Sequence, residues 1–101
     1  MTNSIQNEQR KFIRMNLESD MLYRFSDHKR FFSGRCKNLS PTGVMFNCHH
    51  QLEIGQMLEV HIIPENNLTP TMRILVKVVL VKLIDSISFD TGAEIEGTML
   101  F

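Results

Sequence analysis

Alternation with a period of two, broken every few residues by turn formers, is the feature that most limits what this chain can fold into. Leu58, Val60 and Ile62 fall on one side of an extended segment, with Glu59 and His61 on the other. Phe89, Thr91, Ala93 and Ile95 alternate in the same way with Asp90, Gly92, Glu94 and Glu96. Residues 72–84 are dense in β-branched side chains, which suit a pleated surface, and predict one long strand bent by a bulge. No long stretch carries an apolar stripe at three- and four-residue spacing, so little helix is expected. Turn chemistry falls at residues 26–30, at Ser40-Pro41-Thr42-Gly43, at Glu53-Ile54-Gly55-Gln56, at residues 64–70 and at Asp85-Ser86. Short strands joined by frequent turns predict an all-β closed barrel or sandwich. In 101 residues the barrel is the more attractive, because closure removes exposed sheet edges.

The chain has one domain's worth of residues, no internal repeat and no low-complexity tract. An apolar fraction of 43% and a charged fraction of 22% fit an ordinary globular protein. Residues 1–9 are polar around a lone Ile5 and are expected to form a flexible leader. The most apolar run, residues 74–84, is too short to cross a bilayer as a helix and holds Lys77 and Lys82. No charged-then-apolar segment opens the chain, so a cytoplasmic location without membrane insertion is expected. Cys36 and Cys48 both lie in strand-like runs and are expected to be reduced thiols acting as small core hydrophobes.

A net charge of zero hides an asymmetry. Residues 1–40 carry eight basic side chains against four acids, and residues 41–101 carry three against seven. A basic half within a neutral chain suggests a local anion site rather than a general polyanion binder. On charge alone, solvated strand faces whose charges mix on folding are the favoured reading.

Two short motifs carry more. Arg10-Lys11-Phe12-Ile13-Arg14 places two arginines four apart at the head of the β region, and alone reads equally as two exposed arginines near a terminus. Asn38-Leu39-Ser40-Pro41-Thr42-Gly43 is composed as a turn, and binding loops are often turns held on a rigid scaffold.

Together the two motifs resemble the signature of the PilZ domain family, RxxxR followed after two strands by [D/N]xSxxG, with all five positions matched in order. Val44 and Phe46 are similar to the family's next strand, and Thr91-Gly92-Ala93-Glu94-Ile95 to its closing glycine-containing strand. The resemblance implies a six-stranded antiparallel split barrel over residues 10–97, and a receptor for the second messenger cyclic di-GMP rather than an enzyme. It implies Arg10, Arg14, Asn38, Ser40 and Gly43 as ligand-binding residues, with Lys11 and Lys82 as additional contacts.

These residue types suit such a ligand. Arginine's planar fork pairs with a phosphate or with guanine O6 and N7, and its flat face stacks on a base. Asn38 can address a guanine edge, more weakly than the Asp often found there, because it offers one neutral acceptor. Ser40 can donate to a phosphate or orient the turn. Gly43 either adopts positive φ or admits close approach of the ligand. Gln9 stands where some relatives carry another Arg, a position associated with how many ligand molecules bind, so the stoichiometry stays open. Residues 97–101 leave room for a helical turn but no long helix, and Met99, Leu100 and Phe101 are expected to join the core.

The resemblance further implies action through a separate partner protein in motility, adhesion, biofilm or exopolysaccharide control. A different reading is a barrel of the same shape that works by protein contacts alone and binds no nucleotide. Other constellations are weaker. Cys36, Cys48, His49 and His50 lack metal-site spacing, and adjacent histidines on a strand point to opposite faces. Glu94 and Glu96 share a strand face but read as solvated acids rather than a catalytic pair. Phe31 and Phe32, among Lys29, Arg30 and Arg35, are the only aromatic and basic cluster suited to single-stranded nucleic acid, and one ring is expected in the core, so no DNA or RNA partner is expected. Gap-filling explains most of the seven methionines better than a partner surface does. No metal and no cofactor other than the ligand is expected.

Overall fold

The computed structural model describes residues 18–65 and 70–98. Within them the chain forms β1 (Ser19–Phe25), β2 (Phe32–Leu39), β3 (Gly43–Cys48), β4 (Met57–Ile63), β5 (Met72–Asp85) and β6 (Ser88–Thr98). All neighbours pair antiparallel, and the order β1-β2-β3-β6-β5-β4 closes through the β1–β4 ladder into a barrel. The expected reversals fall between strands or at their ends, with Gly43 opening β3 and Asp85 closing β5, residues 66–69 lie outside the described residues, and the shortest connection is Ser86-Ile87, which joins β5 to β6. Leader residues 1–9, the RxxxR motif, and Met99, Leu100 and Phe101 lie outside the described residues.

Period-two alternation fills the interior. Met21 and Tyr23 of β1, Val44, Phe46 and Cys48 of β3, Leu58, Val60 and Ile62 of β4, and Ile74, Val76 and Val78 of β5 are all buried. Register brings them together in cross-strand pairs such as Met21 with Ile62, Tyr23 with Val60, and Val78 with Ala93. Such same-face pairs are the unit of sheet stability. Cys36 and Cys48 are free and buried, and burial pushes the Cys36 thiol up, so it behaves as a hydrophobe. At one end of the core the Tyr23 hydroxyl meets His50 Nδ1 at 2.6 Å, and the rings of Phe25 and Phe32 pack edge-on around that imidazole.

The expected bend in β5 is present. Val79 and Ile84 are extra residues on β5 relative to β6, and Glu96 is an extra residue on β6. β5 outruns its other neighbour: its ladder with β4 ends at the Met57–Lys77 pair, followed only by the bonds of Val78 to Gly55 and Gln56. Beyond that point the barrel is split.

Glu59 differs from its expected setting. It does point away from the core, but it is 4% exposed. Arg24 closes over it with Nε and Nη2 at 2.9 and 2.6 Å from Oε1, while His61 Nε2 and Arg73 Nη2 lie 2.5 and 3.5 Å from Oε2. The Phe31 ring lies against His61 at 4.8 Å and beneath the Arg24 guanidinium. Phe32 packs against the core, as expected of one ring of the pair.

Gly55 turns the chain into β4 at φ 91°, where its amide donates to the Val78 carbonyl at 2.7 Å. A Cβ there would meet no atom within 4 Å, so only backbone conformation resists substitution. Gly55→Ala is expected to cost about 1 kcal/mol. Chemical denaturation should show a lower midpoint at unchanged slope. No helix among the described residues is long and apolar enough to cross a membrane.

Candidate functional site

The turn between β2 and β3 is built around Ser40. Its amide donates to the Gly43 carbonyl at 2.9 Å, and its Oγ accepts from the amides of Gly43 and Thr42 at 3.2 and 3.4 Å. The hydroxyl also lies within donating distance of the Gly43 carbonyl, at 3.3 Å. Of the two roles open to Ser40, orienting the turn is the one seen here. The Ile95 amide donates to the Thr42 carbonyl at 2.9 Å, which ties the turn to β6.

Gly43 does not adopt the positive φ that is one of the two purposes expected of it from sequence. Gly55 is the positive-φ glycine among the described residues. A Cβ on Gly43 would instead come within 3.1 Å of the Ala93 carbonyl oxygen, so the glycine permits close approach of β3 to β6.

Asn38 reaches the outer surface through a bulge. Cys36 faces the core opposite Phe46, and strict alternation would return Asn38 to the interior. The register shifts at Lys37, so Asn38 stands opposite Met45 on the outside. A bulge re-aims side chains in this way. Lys37, the extra residue, reaches across β3 to Asp90 Oδ2 at 3.2 Å, and Asn47 Nδ2 donates to the other oxygen at 3.0 Å. Among the described residues the Asn38 amide has no hydrogen-bond partner.

Register continues this outer face across the sheet in rows. Asn38 leads through Met45 and Gly92 to Leu80. The next row runs Arg35, Asn47, Asp90 and Lys82. Gly92 keeps the first row flat: a Cβ there would sit 3.3 Å from Leu80 Cβ and 3.5 Å from Met45 Cε. The surface is thus a shallow apolar strip, with the Asn38 amide at one end and a polar row beside it. Lys82 shares this outer face but lies three strands from β2, about 14 Å away at ordinary strand spacing. Beside the polar row, Asp20, Ser33, Gly34, Arg35, Asn47 and His49 line an open cleft of about 220 Å³.

The structure therefore brings Asn38, Ser40 and Gly43 together and sets Lys82 on the same face at a distance. Arg10, Lys11 and Arg14 fall outside the described residues. Ser19 pairs with Cys36, so the chain enters β1 beside the bulge that presents Asn38.

Sequence reasoning missed Lys37, Met45, Asn47 and Asp90 as components of this face. Their spacing carries no local signal, because Lys37 and Asp90 meet across 53 positions. Only the strand register joins them.

The sequence model of the PilZ domain matches residues 8–94. The chain belongs to the PilZ domain family. The match includes every position of both PilZ motifs. The solved structure of the Bacillus subtilis inhibitor of motility, MotI/DgrA, has the same fold, with a TM-score of 0.68 at 17% identity over 89% of this chain and 44% of that one. This PilZ chain thus spans less than half of that structure. No curated protein matches the sequence.

Proposed function

We propose that this PilZ domain is a cyclic di-GMP receptor that acts through a separate protein. The observation that carries the reading is the outward-facing Asn38 side-chain amide beside the Ser40–Gly43 turn, which has no hydrogen-bond partner among the described residues. A buried or structural amide would have its hydrogen bonds made within the fold, whereas this one is presented to solvent above a flat strip. Arg14, five residues before Ser19 in the sequence, can be brought over that strip to meet a phosphate or stack on a base. Ordering of the leader by the ligand would change the surface shown to a partner, driven by the ligand's higher affinity for the ordered state. Lys11 and Lys82 are secondary contacts in this scheme, with Lys82 at the far side of the ligand's footprint. The motility inhibitor of the same fold suggests motility among the outputs.

Calorimetric titration of cyclic di-GMP tests the reading. Saturable binding by the wild type is expected, with its molar ratio reporting one ligand or two. Arg14→Ala should weaken it at least about 100-fold, by removing a charge-assisted bidentate contact. Asn38→Ala should weaken it about 10-fold, through loss of a neutral hydrogen bond. No heat and no shift in melting temperature at ligand concentrations well above micromolar would sink the receptor reading and leave a barrel that works by protein contacts alone.

A further inference from the structure

Five of the large exposed apolar side chains lie at one end of the β5–β6 hairpin: Val79, Leu80, Leu83, Ile84 and Ile87, between 43% and 63% exposed. Spread over both faces of the ribbon, they leave on the order of 450 Å² of apolar surface in water. The same segment has an open backbone edge. Residues 79–85 pair with β6 on one side, and past Val78 no described residue bonds the other. Between the extra residues Val79 and Ile84, residues 80–83 keep an unbroken register with β6, so a short regular ladder is available. An apolar strand edge of this kind is a template for another strand.

We propose that this edge is the interface of a homodimer, in which β5 of two copies pairs antiparallel about a two-fold axis. The edge calls for a partner strand that is itself extended, open on one side, apolar on both faces and supplied with an acid to meet Lys82. β5 meets all four requirements. Pairing covers the flanks of these side chains and the edge backbone in both copies, a small interface that fits a dimer in exchange with its monomer. Charge selects the register. An axis at Lys82 would oppose two like charges. An axis at Leu83 sets the two Leu83 side chains together and places each Lys82 against Ile84 of the second copy, next to its Asp85. The extra residue at Ile84 turns Asp85 to the same outer face as Lys82, since Lys82 pairs with Asp90 and Asp85 with Ser88, two residues apart on β6. The Ile87 amide holds the Asp85 carboxyl below its usual range, so it stays charged at neutral pH. A two-fold contact of this type closes on itself and stops at two copies.

Sedimentation of the full chain without nucleotide, across a range of protein concentrations, tests the interface separately from the receptor reading. A monomer–dimer equilibrium is expected in the wild type, with slower amide exchange in residues 79–85 as the dimer fraction rises. Leu83→Lys should sediment as a monomer throughout and keep the wild-type melting temperature at concentrations where both are monomeric, because Leu83 is 61% exposed and holds nothing in the core. A wild type that stays monomeric at several hundred micromolar, or a dimer that persists in Leu83→Lys, would overturn the proposal and leave the nucleotide reading untouched.

Discussion

Phe46→Ala is expected to lower the stability of the fold by about 3–5 kcal/mol. Against a typical margin of ~5–15 kcal/mol, thin in so small a domain, that is a large share of the total stability. Phe46 has no exposed surface and sits in the middle of β3, with its ring centroid 5.8 Å from that of Tyr23. Its cross-strand neighbours on the inner face are Cys36 and Thr91, both small. Neither can swing into the space a ring vacates, so most of the cavity would remain open, and the cost belongs at the upper end of the range. Urea denaturation would show the midpoint falling at constant slope. A loss below about 1 kcal/mol would mean that the barrel collapses to fill the hole. β3 also begins at Gly43 and carries Met45, so any cyclic di-GMP binding should fall in step with the folded fraction.

The inward positions were readable because burial in a small barrel imposes a period of two over several residues. Val44 and Phe46, or Leu58, Val60 and Ile62, announce themselves with no knowledge of their partners. Turn positions were readable for a similar reason: Ser40, Pro41 and Gly43 encode local geometry in their own chemistry. What escaped depends on pairing between distant strands. The bulge at Lys37 is set by how β2 meets β3, and without it Asn38 would face the core. Thus the motif singled out a residue that the bulge turns outward, while simple alternation would have buried it. Gly43 does not use the positive φ that its residue type allows, and the close contact a Cβ there would make, with the Ala93 carbonyl, comes from 50 positions away. The split between β4 and β5 is likewise invisible in β5, whose composition is equally β-branched before and after Lys77.

Glu59→Gln is expected to cost about 2 kcal/mol at neutral pH and to remove part of the protein's sensitivity to acid. Burial works against the Glu59 charge and would raise its pKa, but the hydrogen bonds and charges of His61 and Arg24 outweigh it and hold the carboxyl below its ordinary value of 4.5. The carboxylate therefore contributes stability that is fully present above pH 4.5 and lost as pH falls through the lower value of the folded state. Removing one member of a fully buried ion pair costs ~3–5 kcal/mol. The cost is smaller here because the side chains of Arg24 and Arg73 keep 30% and 31% exposure, and water can take over part of their solvation. Glutamine keeps the shape and one acceptor for Arg24, but turns an NH₂ group toward Arg73, where donor meets donor. Stability measured by urea titration between pH 3 and pH 7 should therefore fall less steeply below pH 5 in the variant, with the two curves converging at the acid end. Parallel curves over the whole range would mean that the Glu59 charge contributes nothing, and that Arg24 and Phe31 hold this face of the barrel by packing alone.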